Sequence, residues 1–267
     1  MKIFKYWVVE KVRTNVYGET KDFNVYGGSN LSADDAVQKA RQKAELIQRK
    51  IEGDVNAFED YEVEIREEIL RELDSRTIIT RNRYGAQVLN TENLLILDID
   101  KPKPVGLFGL FKKAPVGSDK DKIFNMVRTQ AADAKYSGLG FRVYETYQGA
   151  RVIVTGKDFN ARDATTFELM RDFNTDPLYA AICRKQGCFR ARLTPKPSRV
   201  HLKAYKVKYP RSEPDALFDL WLKDYDHASR SFRVCRLVEQ VGVNHGLSEA
   251  IRLHDELTGA NLPLPLA

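Results

Sequence analysis

The chain has 267 residues, and its 43 lysines and arginines against 37 acids give a net charge of +6. This length allows one large domain or two smaller ones. No apolar run is long enough to cross a bilayer or to act as a signal peptide, and three cysteines, an odd count in a long chain, argue against a disulfide framework, so we expect a cytoplasmic protein. The positive charge favours nucleic acid or phosphorylated small molecules as partners, although a merely basic enzyme fits it equally well.

Residues 1–90 are predicted to form an α/β module. Ser32, followed by two acids, begins an amphipathic helix that ends near Gly53. Residues 61–73 predict a short strand or a linker into a second helix. Segments rich in β-forming side chains indicate strands at residues 3–13, 20–26, 77–80 and 86–89.

The turn between the last two of these strands carries Arg81, Arg83 and Tyr84. Arginines at a loop tip can hold a phosphate backbone, and a tyrosine can stack on a base. The three residues are therefore candidates for nucleic-acid binding, with a solvated basic turn as the alternative.

A run of four apolar residues from position 94 leads directly into Asp98, Ile99 and Asp100. Residues two apart in a strand share a face, so the two carboxylates should lie side by side. The following segment, residues 102–113, contains prolines, glycines and phenylalanines and is predicted to be a mobile flap beside the acids, with a simple insertion as the alternative.

Residues 94–194 follow the order β-α-β-β-α-β, which is typical of ferredoxin-like and RNA-recognition (RRM-like) folds. The sequence therefore predicts an α+β protein with such a core at residues 91–210, preceded by the N-terminal module and followed by C-terminal helices at residues 211–267. This fold covers one sheet face with helices and leaves the other open.

Strand alternation places polar side chains of all four core strands on the open face. They are Asp98, Asp100, Arg142, Tyr144, Thr146, Arg151, Thr155, Arg190, Arg192 and Thr194. Adjacent carboxylates repel each other unless a cation neutralises them. Mg²⁺ is commonly held by one or two carboxylates together with substrate phosphates, and arginines bind such phosphates bidentately. The alternative is that Asp98 and Asp100 only form ion pairs with Arg151 and with Arg190 or Arg192.

With its apolar strand ending in Asp-x-Asp, this region resembles the archaeo-eukaryotic primase (primase-polymerase) superfamily. A hairpin with a Gly turn, Glu145 to Val154, and an Arg-rich strand ending at a Pro-containing turn, Phe189 to Pro197, are similar to later motifs of that family. Arg151 stands where the family has a histidine.

The resemblance implies a metal-dependent nucleotidyltransferase, or a diverged or inactive descendant, that acts on nucleotides and on DNA or RNA. Asp98 and Asp100 would hold Mg²⁺ or Mn²⁺ as the catalytic pair, with His201 or Asp158 as candidates for a third ligand. The predicted roles of the other residues fall into two groups. Phosphate binding is assigned to Thr146, Arg151, Arg190 and Arg192, and an extended nucleic-acid track to Lys196 and Arg199.

Two other functions are compatible with parts of the sequence. A non-catalytic RNA- or DNA-binding module would use the basic residues and Tyr144, but two central acids repel phosphate unless metal is bound. In a haloacid-dehalogenase-like phosphatase, Asp98 would be the nucleophile and Asp100 the general acid. The later lysine and acidic pair of such phosphatases do not occur at fitting places.

Overall fold

The computed structural model describes residues 1–16, 19–54, 56, 63–101, 118–207, 209–211 and 214–267. The predicted flap at residues 102–113 lies outside them. The described chain is α+β, as predicted, and none of its helices has the length and apolar character needed to cross a bilayer.

The strands are β1 Tyr6–Val16, β2 Glu19–Ser29, β3 Glu68–Asp74, β4 Thr77–Arg81, β5 Gln87–Thr91, β6 Ile96–Asp100, β7 Gly140–Thr146, β8 Gly149–Thr155, β9 Phe189–Arg192 and β10 Cys235–Gly242. The helices are α1 Ala33–Ile51, α2 Asp119–Ala131, α3 Ala164–Asp172, α4 Pro177–Gln186, α5 Ala216–Ser229 and α6 Glu249–Thr258. Short 3₁₀ helices lie at Ala134–Tyr136 and Pro197–Val200.

The first two predicted strands and the first predicted helix are confirmed, and the two strands form a hairpin. Strands β1 and β2 pair along their length, and the hydroxyl of Ser32 caps α1 by accepting the Asp35 N–H at 3.1 Å. Helix α1 packs closely on β2, since a Cβ at Gly27 would lie 2.0 Å from the Ala36 carbonyl oxygen. The predicted strand at residues 61–73 corresponds to β3, which leads into β4 rather than into a helix.

Two four-stranded antiparallel sheets share the main core. One has the strand order β10-β7-β8-β6 and the other β3-β4-β5-β9. Fully buried side chains from both sheets, such as Leu89, Leu97, Val152 and Phe189, belong to one apolar cluster. The two sheets are therefore packed around a common interior.

Strand β9 differs from the prediction, which placed it in one sheet with β6, β7 and β8. It pairs with β5 instead. The Tyr179 hydroxyl of α4 lies between β6 and β9, where it donates to the Ile96 carbonyl at 3.0 Å and accepts the Arg190 N–H at 3.2 Å. In the ferredoxin-like order β9 would pair directly with β6. Here the Tyr179 side chain bridges the two strands instead.

The C-terminal segment also differs, because residues predicted to be helical form β10, which pairs with β7. A bulge between Leu237 and Glu239 breaks the two-residue alternation of this strand. The apolar residues at 234, 237, 238 and 241 consequently have a spacing that suits a helix as well as a strand.

Helix α6 covers part of the sheet face that was predicted to be open. Arg142 and Tyr144 are buried there, and both bond to the Asp255 carboxylate of α6, with N···O and O···O distances of 2.6 Å. The polar face is therefore covered at its centre, and Asp98 and Asp100 lie beside an open part of it.

Candidate functional site

A polar cleft of about 120 Å³ lies at the open end of this sheet face. Seven of the side chains that line it are predicted site residues: Asp98, Asp100, Thr146, Arg151, Arg192, Lys196 and Arg199. Gln148 and Val234 complete the wall. The volume suits a phosphate chain or a hydrated cation, but it is smaller than the 300–1,000 Å³ typical of sites that enclose a whole organic ligand.

Pairing between β6 and β8 sets the position of the acids. Asp98 lies opposite Arg151, and Asp100 lies opposite Gly149. A Cβ at Gly149 would come within 2.0 Å of the Ile99 carbonyl oxygen, so only glycine allows the β7–β8 turn to approach β6 this closely. That approach brings Gln148 and Thr146 to the edge of the cleft.

Neither carboxylate makes a hydrogen bond or an ion pair with any residue that the structure describes. Burial raises the pKa of Asp98, and the nearby charges of Asp100 and Asp176 act in the same direction, against Arg151 and Arg192. The ion-pair alternative for these acids is therefore not what the structure contains. A cation close to Asp98 would offset the cost of its ionised form.

The opposite wall of the cleft carries an excess of positive charge. Burial, together with the charges of Arg151 and Arg199, lowers the pKa of Arg192 to about 10, and its Nε is buried without a partner among the described residues. The pKa values of Lys196 and Arg199 are also lowered, chiefly by burial. Four cations face two acids, so the cleft favours an anion.

A buried chain of hydrogen bonds through His254 and Asp255 fixes the Arg151 guanidinium. Its Nη1 donates to the Arg192 carbonyl at 3.1 Å and lies 3.0 Å from His254 Nε2. Burial lowers the pKa of His254 to about 4, so the imidazole is neutral and its Nε2 accepts from Arg151. His254 Nδ1 then donates to the Asp255 carboxylate at 3.0 Å.

His254 and Asp255 are functional candidates that the sequence did not single out. No spacing rule connects residue 254 with residue 151. The available signal was indirect: Arg142 and Tyr144 would need polar partners if anything covered them.

Two predicted phosphate- or nucleic-acid-binding arginines have structural partners instead. Arg190 Nη2 pairs with Glu67 at 2.6 Å and its Nε donates to Asn90 at 2.7 Å, which directs its guanidinium to the β3-β4-β5 sheet. Arg81 pairs with Glu68 at 3.2 Å. The assignment of Arg190 to the phosphate site is therefore corrected, and Arg81 lies outside the cleft.

The candidates for a third metal ligand do not line the cleft either. The exposed carboxylate of Asp158 pairs with Arg76 at 2.6 Å and accepts from Asn93. His201 is exposed, at the end of the 3₁₀ helix Pro197–Val200. Both assignments are corrected.

Arg83 and Tyr84 form a pair at their turn, with Arg83 Nη2 donating to the tyrosine hydroxyl at 2.6 Å and the guanidinium 4.8 Å from the ring. Arg83 is exposed and the tyrosine is half-buried. This pair stays a candidate nucleic-acid contact, separate from the residues that line the cleft.

Whether the cleft can hold a metal ion depends on the bound substrate as well as on the protein's own side chains. No group of three or more histidines, cysteines or acids is placed to hold a metal among the described residues. The two carboxylates of Asp98 and Asp100 match the kind of site in which the protein supplies one or two oxygen ligands to Mg²⁺ and substrate phosphates and waters supply the rest. The residues therefore fit a metal that binds together with an anionic substrate.

Comparison of the chain with protein-family models, with curated proteins and with solved structures finds no significant match.

Proposed function

We propose that the cleft binds the phosphates of a nucleotide together with Mg²⁺ or Mn²⁺ and that the protein is a nucleotidyltransferase of the primase-polymerase type. The observation that carries the proposal is the cleft itself. Two carboxylates without hydrogen-bonded or ion-paired partners among the described residues share it with four cations whose charge they do not balance. The resemblance at Asp98-Ile99-Asp100 belongs to this proposal.

Each part of the cleft has a role in such a transfer. Arg192, Lys196 and Arg199 bind the phosphates, and Arg151 is held in one orientation by His254. Asp98 and Asp100 hold the metal, which would neutralise charge on the phosphates and activate them for displacement. An attacking hydroxyl oxygen bonds to the α-phosphorus as its proton passes to water, and pyrophosphate leaves with the bridging oxygen, while the arginines stabilise the charge that develops on it.

A non-catalytic nucleic-acid-binding module is the second candidate. The Arg83–Tyr84 pair, whose arginine is exposed, and the net charge of +6 favour it. Such a module binds polyanions without divalent metal and loses affinity steeply as salt rises.

The test compares wild-type protein with Asp98→Asn/Asp100→Asn. We expect binding of ATP or dATP that requires Mn²⁺ or Mg²⁺, weakened by about tenfold or more in the double variant, which corresponds to about 1.4 kcal/mol. Incorporation into a primed template should be lost with it. Asp158→Asn is the matched control, since it removes an acid outside the cleft.

Binding of ATP or dATP that persists in EDTA and is unchanged by both substitutions would identify the non-catalytic module. Metal-dependent nucleotide binding without incorporation would identify a descendant that has kept the site and lost the chemistry.

A further inference from the structure

A second concave surface lies between helices α3 and α4. It is a groove of about 640 Å³, and its lining residues come from both helices and the turn between them. Phe167, Met170, Ala180 and Ala181 contribute apolar side chains. None of its lining residues belongs to the cleft that holds Asp98 and Asp100.

The charged residues of the groove are all cationic. Arg171, Arg184 and Lys185 line it, and no acid does. The Arg184 guanidinium lies 5.3 Å from the Phe167 ring centroid, and neither it nor the Lys185 ammonium group has a hydrogen bond or an ion pair with any described residue. Arg171 has one distant contact, 3.9 Å from the Asp172 carboxylate. The rim thus carries positive charge that the folded chain leaves largely uncompensated.

The groove continues into an apolar stripe on the outer face of α4. Leu178 is 69% exposed and Ile182 38% exposed, and together with Ala181 they follow helical spacing on one side of the helix. Exposed apolar surface that is contiguous and bordered by polar residues marks interaction sites more often than scattered single leucines do.

We infer that the α3–α4 groove binds an acidic peptide segment of another protein, with a large apolar side chain seated over Phe167 and Met170 and carboxylates paired with Arg171, Arg184 and Lys185. Charge complementarity selects this occupant, because the rim offers cations alone. The apolar stripe on α4 provides the anchoring surface that helix-in-groove complexes use. The inference does not depend on the proposed nucleotide chemistry.

The test is a selection of peptides from a random displayed library on the full-length protein, followed by fluorescence polarisation with the enriched peptides. We expect enriched sequences that combine acids with a leucine or an aromatic residue. Leu178→Glu and Arg184→Glu should each weaken their binding by about tenfold or more. Leu217→Glu, at an equally exposed leucine on α5, and Arg252→Glu, at an exposed arginine on α6, are the matched controls and should leave binding unchanged.

Three outcomes would overturn the inference. They are enriched peptides without acidic bias, binding that ignores Leu178→Glu and Arg184→Glu, and self-association in sedimentation that Leu178→Glu abolishes, which would make a second copy of the chain the occupant. Asp98→Asn/Asp100→Asn should bind the peptides normally, so a failure of the nucleotide proposal is distinguishable from a failure of this one.

Discussion

At the scale of single residues, Arg190 and Arg192 show what strand alternation can predict and what it cannot. They lie two apart on β9, so alternation gives them one face and the same predicted role. Arg190 meets Glu67 and Asn90, whereas Arg192 reaches the cleft with its Nε unpartnered within the described chain. The difference comes from Glu67, far away in sequence, and no local rule reveals it.

We predict opposite results for the two arginines. Arg190→Gln leaves the largely buried Glu67 unpaired and should lower the free energy of unfolding by about 3 kcal/mol. Arg192→Gln removes a desolvated cation and should not destabilise the fold, yet it should weaken metal-dependent ATP binding by about tenfold. Urea unfolding and calorimetric titration measure the two quantities. Loss of stability in Arg192→Gln alone would show that Arg192 has a structural role.

The buried chain of hydrogen bonds from Arg151 through His254 to Asp255 predicts that the free energy of unfolding depends on pH. His254 has a folded-state pKa of about 4 against 6.5 when exposed, so the unfolded chain binds more protons between these values and stability falls as pH drops through this window. The loss from His254 between pH 7 and pH 5 is about 2 kcal/mol. Its charged or titratable neighbours are Arg142, Tyr144, Arg151 and Asp255.

Urea unfolding at pH 7 and pH 5 measures this loss. His254→Gln keeps an amide for Arg151 but does not titrate, so most of the loss should disappear in it. An equal loss in the variant and in the wild type would assign the pH dependence to other groups.

At the scale of elements, the sequence predicted most segments but not all their neighbours. The hairpin, α1, the Asp-x-Asp strand and the β7–β8 pair follow from alternation, caps and turns that are local in sequence. The placement of β9 beside β5 depends on tertiary contacts of Tyr179, Asn90 and Glu67. Strand β10 was missed because its bulge hides the alternation. Alternation identifies the face of a side chain, but neither the partner strand nor the helix that covers it.

Tyr179 offers a test of the bridge between the two sheets. Tyr179→Phe leaves the Ile96 carbonyl and the Arg190 N–H without their shared partner, and we expect a loss of about 2 kcal/mol in the free energy of unfolding. Tyr205→Phe, which removes a hydroxyl bonded to Asp215 near the surface, serves as the control and should cost less. Equal losses of unfolding free energy in the two variants would show that the Tyr179 bridge stabilises the protein no more than a hydrogen bond near the surface does.

At the scale of the whole molecule, the predicted boundaries at residues 91 and 210 cut through both sheets. Strand β9 pairs with β5, on the N-terminal side, and β7 pairs with β10, on the C-terminal side. A fragment of residues 91–210 would expose two strand edges that are paired in the full chain. We expect it to aggregate or to lack a cooperative unfolding transition by circular dichroism. A soluble fragment that unfolds cooperatively would support the predicted domain boundaries.

The anchoring of Arg151 by His254 also bears on how the protein is made. On the ribosome, β6 and β8 emerge long before α6, so the two acids and Arg151 are synthesised while the residue that fixes the guanidinium is still untranslated. Val234, which closes the wall of the cleft, is equally late. A nascent chain therefore carries an unfinished cleft, and competence to bind a ligand there arises only after α6 has emerged from the ribosome and packed against the sheet.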